Sequence, residues 1–555
     1  MVKLNFPPLE FSSEALQKRD LFAALTIGIV LALVSALWFL LDHHIPNQDE
    51  AGHILNSLRF QELFLTPRPW KGHWWIELFS VNTFYPPLVY IVSALLKCVL
   101  GAARWVDVLV ACLFTFLLSS SSLLTMRLAG LGFVGSCIAP VIISLYPAVA
   151  ALNHSYMLDY PLLSMVSVGL FVLYFWRQMP SLKRALLAGF ILGLCCLTKQ
   201  IAAIYLAGAG AFFLLETVLN GDRSKLKERL IHLILIALVT ALVAAPFLLY
   251  SYKSTAELAN NVKNELSSTR VERSFLGNLT YYITDAAPNL MSPFLFSVFI
   301  VSLALAGKEA HRRLLPLWTA LILGVLAMST LTSFPLSTRY LIPGLCLPAC
   351  ISAVSIDRLL SSGQLFKRAV VGLVLSVALI QYLSFNFCPY PIASKTLAEL
   401  AVFMNNRTPD QLSSEEFHRS PLPRQEWGYD WALDKVEAKD RDLPVYLNVM
   451  ANSYEVNAHS FELVARERKS SVRPTTSRIH TVAGDEIEFD REKIMYYHWY
   501  LIKTGDLGWP LRDDRSRLNQ AKLVDFLNNS GCYSKEGNMD LPDGSKLFLY
   551  RQSNQ

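Results

Sequence analysis

Ionisable side chains are scarce in the long apolar stretches of this 555-residue chain, so those at the ends of such stretches are the first candidates for chemistry. Asp49 and Glu50 stand in Asn47-Gln48-Asp49-Glu50-Ala51-Gly52-His53, and Asp159 stands in Leu158-Asp159-Tyr160-Pro161-Leu162. Lys199 closes Leu197-Thr198-Lys199, and Arg339-Tyr340 opens Arg339-Tyr340-Leu341-Ile342-Pro343. Each has a plain structural reading. Asp49 ahead of an amphipathic helix satisfies free backbone amides as a cap. Asp159 does the same with Pro161 at an early helical position. Lys199 can snorkel, and an Arg-Tyr pair anchors a span at the interface. The chemical readings stand beside these. Two carboxylates can divide acid–base work and orientation of an acceptor. A cation at a membrane mouth is costly unless paired or functional, and phosphate is its natural partner. His53 follows Asp49 by four residues, a helical spacing that suits a metal pair. No zinc-type Cys/His spacing accompanies it.

The elements that must position these residues follow from hydropathy. The chain is 53% hydrophobic and 17% charged, against about 25% charged in an average soluble domain. The apolar residues come in runs of about 20, the length that crosses the hydrocarbon core as a helix. The formal net charge of +6 comes from Lys and Arg between the runs and gives no basis for a nucleic-acid partner. Positive residues mark cytoplasmic segments. Lys3, Lys18 and Arg19 put the N-terminus inside. Arg177, Lys183 and Arg184 mark one cytoplasmic turn, residues 222–229 a second, Lys308 to Arg313 a third, and Arg358, Lys367 and Arg368 a fourth.

If every apolar run crossed, Arg177 and Lys183 would fall outside. The run at about 85–103 opens with Phe84-Tyr85-Pro86-Pro87, holds Lys97 and ends at Arg104-Trp105. That is the dress of a helix lying at the interface, with Lys97 snorkelling. Removing it leaves about eleven spans: about 21–41, 104–126, 131–152, 160–176, 185–198, 201–218, 230–250, 290–306, 314–334, 340–357 and 369–386. The expectation is therefore a polytopic α-helical membrane domain over 1–386 in the plasma (inner) membrane, with a cytoplasmic N-terminus. Its first exoplasmic loop, 42–103, carries interfacial helices at 50–64 and 85–103. In the first of these, Ala51, Ile54, Leu55 and Leu58 recur at helical spacing, with Glu50, His53, Ser57 and Gln61 on the other face. Residues 251–289 read as a polar outer loop. The tail, 387–555, reads as an exoplasmic α/β domain, with strands at 444–449, 493–500 and 546–550, a turn at 542–545 and a helix at 518–529. Cys388 and Cys532 both fall in that tail and are a candidate disulfide if it is exoplasmic. The threading puts Asp49, Asp159, Lys199 and Arg339 at one outer face, a site suited to an anionic lipid headgroup.

These residues, with Pro86-Pro87-Leu88 between the first two groups, occur in an order that resembles the GT-C superfamily of polyprenyl-phosphate-dependent glycosyltransferases. Within it, the chain is similar to the bacterial relatives of protein O-mannosyltransferases and of lipid A aminoarabinose transferases. The resemblance covers most of 20–386. It implies an enzyme that moves a sugar from a polyprenyl-phosphate-linked donor to a lipid, glycan or protein acceptor. Asp49 matches the family's catalytic aspartate and Asp159 its second outer acid. Lys199, Arg339 and Tyr340 would bind the donor phosphate, with Glu50 and His53 as accessory candidates. The aminoarabinose transferases carry a Glu-Lys-Pro, linked to a metal site, where Phe84-Tyr85-Pro86 stands here. A divalent metal is then an expectation that rests on Asp49 and His53 alone. The rival classes are a secondary transporter, which would favour repeated halves and broken helices at mid-membrane, and a glycan ligase or assembly factor of the envelope.

Overall fold

A computed structural model describes residues 16–82, 84–220, 223–267, 274–331, 337–387, 424–440, 444–476, 494–508 and 514–553. They divide into two bodies. One holds the residues up to Leu41 and those from Phe60 to Phe387; the other holds Asp42–Arg59 and the residues from 424 onward.

The first body is a multi-pass membrane domain. Seven helices among the described residues are long and apolar enough to cross a bilayer: Lys18–Leu41, Arg104–Leu128, Asp159–Gln178, Ala202–Leu219, Ser224–Tyr252, Thr338–Ser361 and Leu365–Phe387. Three bent pairs raise the count to ten if each is one span. Their breaks have local causes. Tyr146-Pro147 interrupts Phe133–Leu145 and Pro147–Asn153 with a 73° bend. Ser292, at φ 71°, sits at the 114° bend before Pro293–Leu305, and its Oγ takes the Leu295 N–H at 3.3 Å.

Two expectations differ from the structure. The fifth of the eleven expected spans, at 185–198, is the helix Leu182–Cys196 of only 15 residues, about 22 Å long against a hydrocarbon core of about 30 Å. It lies tightly on the helix Arg223–Ser267. A Cβ on Gly189 would come within 2.8 Å of the Ile236 carbonyl, and one on Gly193 within 2.5 Å of Val243; small residues permit such close helix approach in membranes. The polar loop expected at 251–289 is mostly helical. The 45-residue helix Arg223–Ser267 runs into it, and Phe275–Tyr281, a π turn Tyr282–Ala286 and Ala287–Met291 follow. Ala, Glu, Leu and Lys after Tyr252 are good helix formers and carry the helix past its apolar part.

The interfacial run is a helix, Leu88–Leu100, of 13 residues, about 20 Å long and too short to cross upright. Gly101 ends it at φ 88°, its N–H on the Lys97 carbonyl at 2.9 Å. Lys97 does not snorkel. It is 1% exposed, and its Nζ lies 2.8 Å from Asp107 Oδ1 on the next helix. Ser93 Oγ donates to the same oxygen at 3.2 Å, and Gln61 Nε2 donates to the Lys97 carbonyl at 2.9 Å. Removing one partner of such a pair strands a buried charge, at a cost of about 3–5 kcal/mol. Lys97→Met should therefore lower the unfolding temperature of the detergent-solubilised protein sharply. Lys97→Met combined with Asp107→Leu should recover most of the loss; no recovery would mean that lost packing, not the stranded charge, is what matters. Two further ion pairs tie helices near the Lys- and Arg-rich segments. Arg127 Nε meets Asp20 Oδ1 at 2.9 Å, and Arg177 holds Glu216 through two bonds of 2.7 and 2.6 Å.

The second body is built on a five-stranded sheet. Its strands are β1 Val445–Met450, β2 Val472–Thr475, β3 Trp499–Lys503, β4 Tyr533–Asp540 and β5 Lys546–Gln552, in the order β2-β1-β3-β5-β4. β1 pairs parallel with β2 and β3, and β5 pairs antiparallel with β3 and β4. Among the described residues, its helices include Tyr429–Lys439, Ala458–Glu467 and Asp514–Asn529, beside the first part of Gln48–Leu65. The strand expected over 493–500 begins only at Trp499; Ile494 and Met495 form a helical turn instead, held where the Ile494 carbonyl accepts the Tyr500 and Tyr533 hydroxyls at 3.0 and 2.9 Å. Cys388 and Lys493 lie outside the described residues. Cys532 is buried and directly precedes β4.

Candidate functional site

In the membrane body, Asp159 opens the helix Asp159–Gln178, and Lys199 sits in the turn between Leu182–Cys196 and Ala202–Asn220. Their side chains meet, Lys199 Nζ to Asp159 Oδ1 at 2.7 Å. The Asp159 side chain is 2% exposed and the Lys199 side chain 15%, so the pair is largely buried, the lysine less completely than the aspartate. The segment before Leu88–Leu100 is pinned to the same turn. The Leu88 N–H donates to the Leu197 carbonyl at 2.9 Å, and Gln200 Nε2 donates to the Phe84 carbonyl. This brings the Tyr85 ring to 5.8 Å from Lys199 Nζ, within cation–π range. Asn82 Oδ1 shapes the turn by accepting the Phe84 and Tyr85 N–H groups at 2.9 and 2.8 Å.

Arg339 and Tyr340 lie at the start of the 3₁₀ helix Thr338–Leu345, where Ser337 Oγ takes the Arg339 N–H at 3.3 Å. Tyr205 OH donates to the Tyr340 carbonyl at 2.6 Å and fixes that turn. The 3₁₀ helix that carries Arg339 and Tyr340 packs against the helix that Asp159 opens. Four of the residues singled out in the sequence, Asp159, Lys199, Arg339 and Tyr340, therefore belong to one neighbourhood. Tyr85 and Gln200 join them without having been singled out. The aromatic-Pro-Pro signature was visible, but not its docking on the Lys199 turn. Next to the start of the helix Asp159–Gln178 a small open recess of about 20 Å³ is lined by Val89, Phe114, Asn153, Tyr156, Tyr160 and Pro161 among others. Tyr160 OH bonds Thr115 Oγ1 at 3.0 Å, which donates to Asn153 Oδ1 at 3.0 Å.

Asp49, Glu50 and His53 belong to the other body, on the helix Gln48–Leu65. The capping role falls to Asn47, whose Oδ1 takes the Glu50 N–H at 3.3 Å. The Asp49 side chain is left exposed, with no hydrogen-bond or ion-pair partner among the described residues. Glu50, His53, Ser57 and Gln61 are buried, as are Ala51, Ile54 and Leu55, so both stripes of this helix are covered. Among the described residues no three His, Cys, Asp or Glu side chains group to hold a metal ion.

A charge cluster that the sequence did not suggest lies just before this helix. His44 Nδ1 meets Asp42 Oδ2 at 2.5 Å, and His44 Nε2 faces Glu50 Oε2 at 3.6 Å. Burial works to lower the His44 pKa, but the two carboxylates outweigh it and raise it from 6.5 to about 9. The sign follows from linkage: a folded-state pKa above the unfolded one stabilises fully below about pH 6.5, and the contribution is lost as pH rises through about 9. Each pH unit between the two values corresponds to roughly 1.4 kcal/mol, so the effect is on the order of 3 kcal/mol. The unfolding transition of the C-terminal domain should weaken between pH 6.5 and about 9. His44→Gln should flatten that dependence; an unchanged slope would contradict the assignment.

No family model matches this chain, and no curated protein does. Solved structures do resemble it. One is ArnT from Cupriavidus metallidurans bound to undecaprenyl phosphate, with 15% identity, 96% of this chain and 99% of that chain covered, and a TM-score of 0.55. Another is ArnT from the same organism in the apo state, with 15% identity, 94% and 97% coverage and a TM-score of 0.53. The likeness runs over nearly the full length of both chains and is a likeness of fold: a polytopic helical membrane domain followed by a domain that contains β-strands.

Proposed function

We propose that this protein is a membrane glycosyltransferase that moves a sugar from a polyprenyl-phosphate-linked donor to an acceptor at the outer face of the membrane. The observation that carries this reading is the largely buried Lys199–Asp159 pair, with Tyr85 in cation–π range of the lysine and the segment of Arg339 and Tyr340 packed against the helix that Asp159 opens. A membrane protein keeps such charges where they act. Similarity of fold to a protein solved with undecaprenyl phosphate supports the choice of lipid.

In the proposed reaction the acceptor oxygen attacks the anomeric carbon while the bond from that carbon to the donor phosphate oxygen breaks. The bonding pair leaves on the phosphate. Lys199 and Arg339 stabilise that charge in a partly dry site, where fixed cations count for more than in water. Asp159 holds Lys199 in place, and Tyr340 donates to a phosphate oxygen. Asp49 takes the proton of the acceptor hydroxyl as general base, or orients an acceptor that is already ionised. The configuration inverts, because attack and departure lie on opposite faces.

The phosphate site is tested directly by binding. Tritiated undecaprenyl phosphate should bind the purified protein, and undecaprenol, which lacks the phosphate, should not compete for it. Equal competition by the alcohol would overturn the phosphate site. The proposed sidedness puts residue 103 outside and Lys183 inside. With substituted cysteines, a membrane-impermeant maleimide should label Ala103→Cys from outside and leave Lys183→Cys untouched in intact cells. Labelling of both would break the shared outer face.

A further inference from the structure

The C-terminal domain has no part in the reaction as written above, yet residues 42–59 form one body with it. The bonds that join them are concentrated on the residues just before Asp49. Ile45 packs against the domain's apolar core, which includes Tyr429, Leu447 and Phe461. The Pro46 carbonyl accepts the Ser460 hydroxyl at 2.8 Å, and Asn47 Nδ2 donates to the Tyr454 hydroxyl at 2.9 Å. His459 Nδ1 lies 3.2 Å from the Gln48 carbonyl. One turn later the helix presses on the same ring: a Cβ on Gly52 would come 3.2 Å from His459 Nδ1. Arg59 and Glu462 close the far end at 3.5 Å.

The polar partners on the domain side come from one short stretch, 454–462, and that stretch is itself rigidly held. Asn457 Oδ1 caps the helix Ala458–Glu467 by taking the Ser460 N–H at 2.9 Å. Its amide donates back to the Ser453 and Tyr454 carbonyls at 3.3 and 3.2 Å. Two of the bonds are to backbone carbonyls, of Pro46 and Gln48, and a third is to the capping Asn47. Together they set the path of the chain at 46–48 and so the direction in which the next residue projects. That next residue is Asp49, whose carboxylate is left exposed while its neighbour Glu50 is buried.

We propose that the C-terminal domain is the seat of the Asp49 segment, with Tyr454, His459 and Ser460 acting as positioning residues for sugar transfer. The proposal rests on the reading of Asp49 as the acceptor-side acid. A displacement of about 1 Å at a reacting group can cost on the order of 100-fold in rate, so loosening this seat should act on turnover more than on donor binding.

The test uses the full-length protein in nanodiscs, with radiolabelled undecaprenyl-phosphate-linked sugars as donors. Ser460→Ala with Tyr454→Phe should lower kcat by about 10–100-fold. The KM for the donor and the affinity for undecaprenyl phosphate should stay within about twofold, because the lipid-phosphate residues are untouched. Ser460→Thr keeps the hydroxyl and should retain kcat. A structural role alone would not produce that split with that rescue. Docking is read without any activity by pairing Gly52→Cys with His459→Cys. Mild oxidation of membranes should join the two, identified by mass spectrometry of the linked peptides. No cross-link, or an unchanged kcat in the Ser460 and Tyr454 variant while Asp49→Asn is inactive, overturns the positioning proposal alone. Full activity of Asp49→Asn overturns the acid reading and the positioning proposal with it.

Discussion

Lys199→Met will lower the affinity for undecaprenyl phosphate by about 10–100-fold. A charge-assisted hydrogen bond contributes roughly 1.5–3 kcal/mol, and each 1.4 kcal/mol is about tenfold. The same variant will also be unstable without ligand. Asp159 is 2% exposed, and removing the ammonium group that faces it strands a buried carboxylate, at a cost of about 3–5 kcal/mol. The two effects separate in the variant that combines Lys199→Met with Asp159→Asn. That pair is neutral, so its melting temperature should return toward the wild type while undecaprenyl phosphate binding stays weak. If binding recovers along with stability, Lys199 is a structural ion-pair partner and the phosphate site lies elsewhere.

Asp49→Asn will abolish transfer while leaving both folding and lipid binding alone. The Asp49 side chain is exposed and Asn47 supplies the helix cap, so the substitution removes a charge and disturbs little packing. Loss of a positioned general base costs about 10²–10⁴-fold in turnover. The readout is kcat for sugar transfer beside the melting temperature and the undecaprenyl phosphate affinity. A variant with normal turnover would remove Asp49 from the mechanism. Loss of lipid binding in that variant would place Asp49 on the donor instead of the acceptor.

What could be read in the sequence followed from locality. Apolar runs are continuous in the chain, so most membrane helices were legible, as were the strands around Val445–Met450 and Lys546–Gln552. Asp159 and Lys199 stood out because each ends an apolar run, although nothing in the spacing of 40 residues said that they touch at 2.7 Å. The errors came from non-local partners. Lys97 looked like a snorkelling lysine until Asp107 appeared on the facing helix. Arg177 marked a turn by its charge, and its partner Glu216, 39 residues on, was not visible. The cluster of Asp42, His44 and Glu50 was spelled out in sequence, but only burial makes it a cluster. Least legible was the company of residues 42–59. Sequence adjacency assigned them to the first membrane loop, whereas Tyr454 and Ser460, more than 400 residues along the chain, provide their bonds. The short helix Leu182–Cys196 shows the converse limit. Charge parity needs it to cross, while its length falls below that of an ordinary span.

The central claim, sugar transfer from a polyprenyl phosphate, is tested most directly by transfer itself. Purified protein in nanodiscs would be given undecaprenyl-phosphate-linked hexose, pentose or aminopentose, radiolabelled in the sugar, together with membrane lipid, glycan and protein acceptors. Label should pass from at least one donor to an acceptor with release of undecaprenyl phosphate, and Lys199→Met and Asp49→Asn should each prevent it. No transfer from any donor by the wild-type protein, together with no binding of undecaprenyl phosphate, would contradict the account.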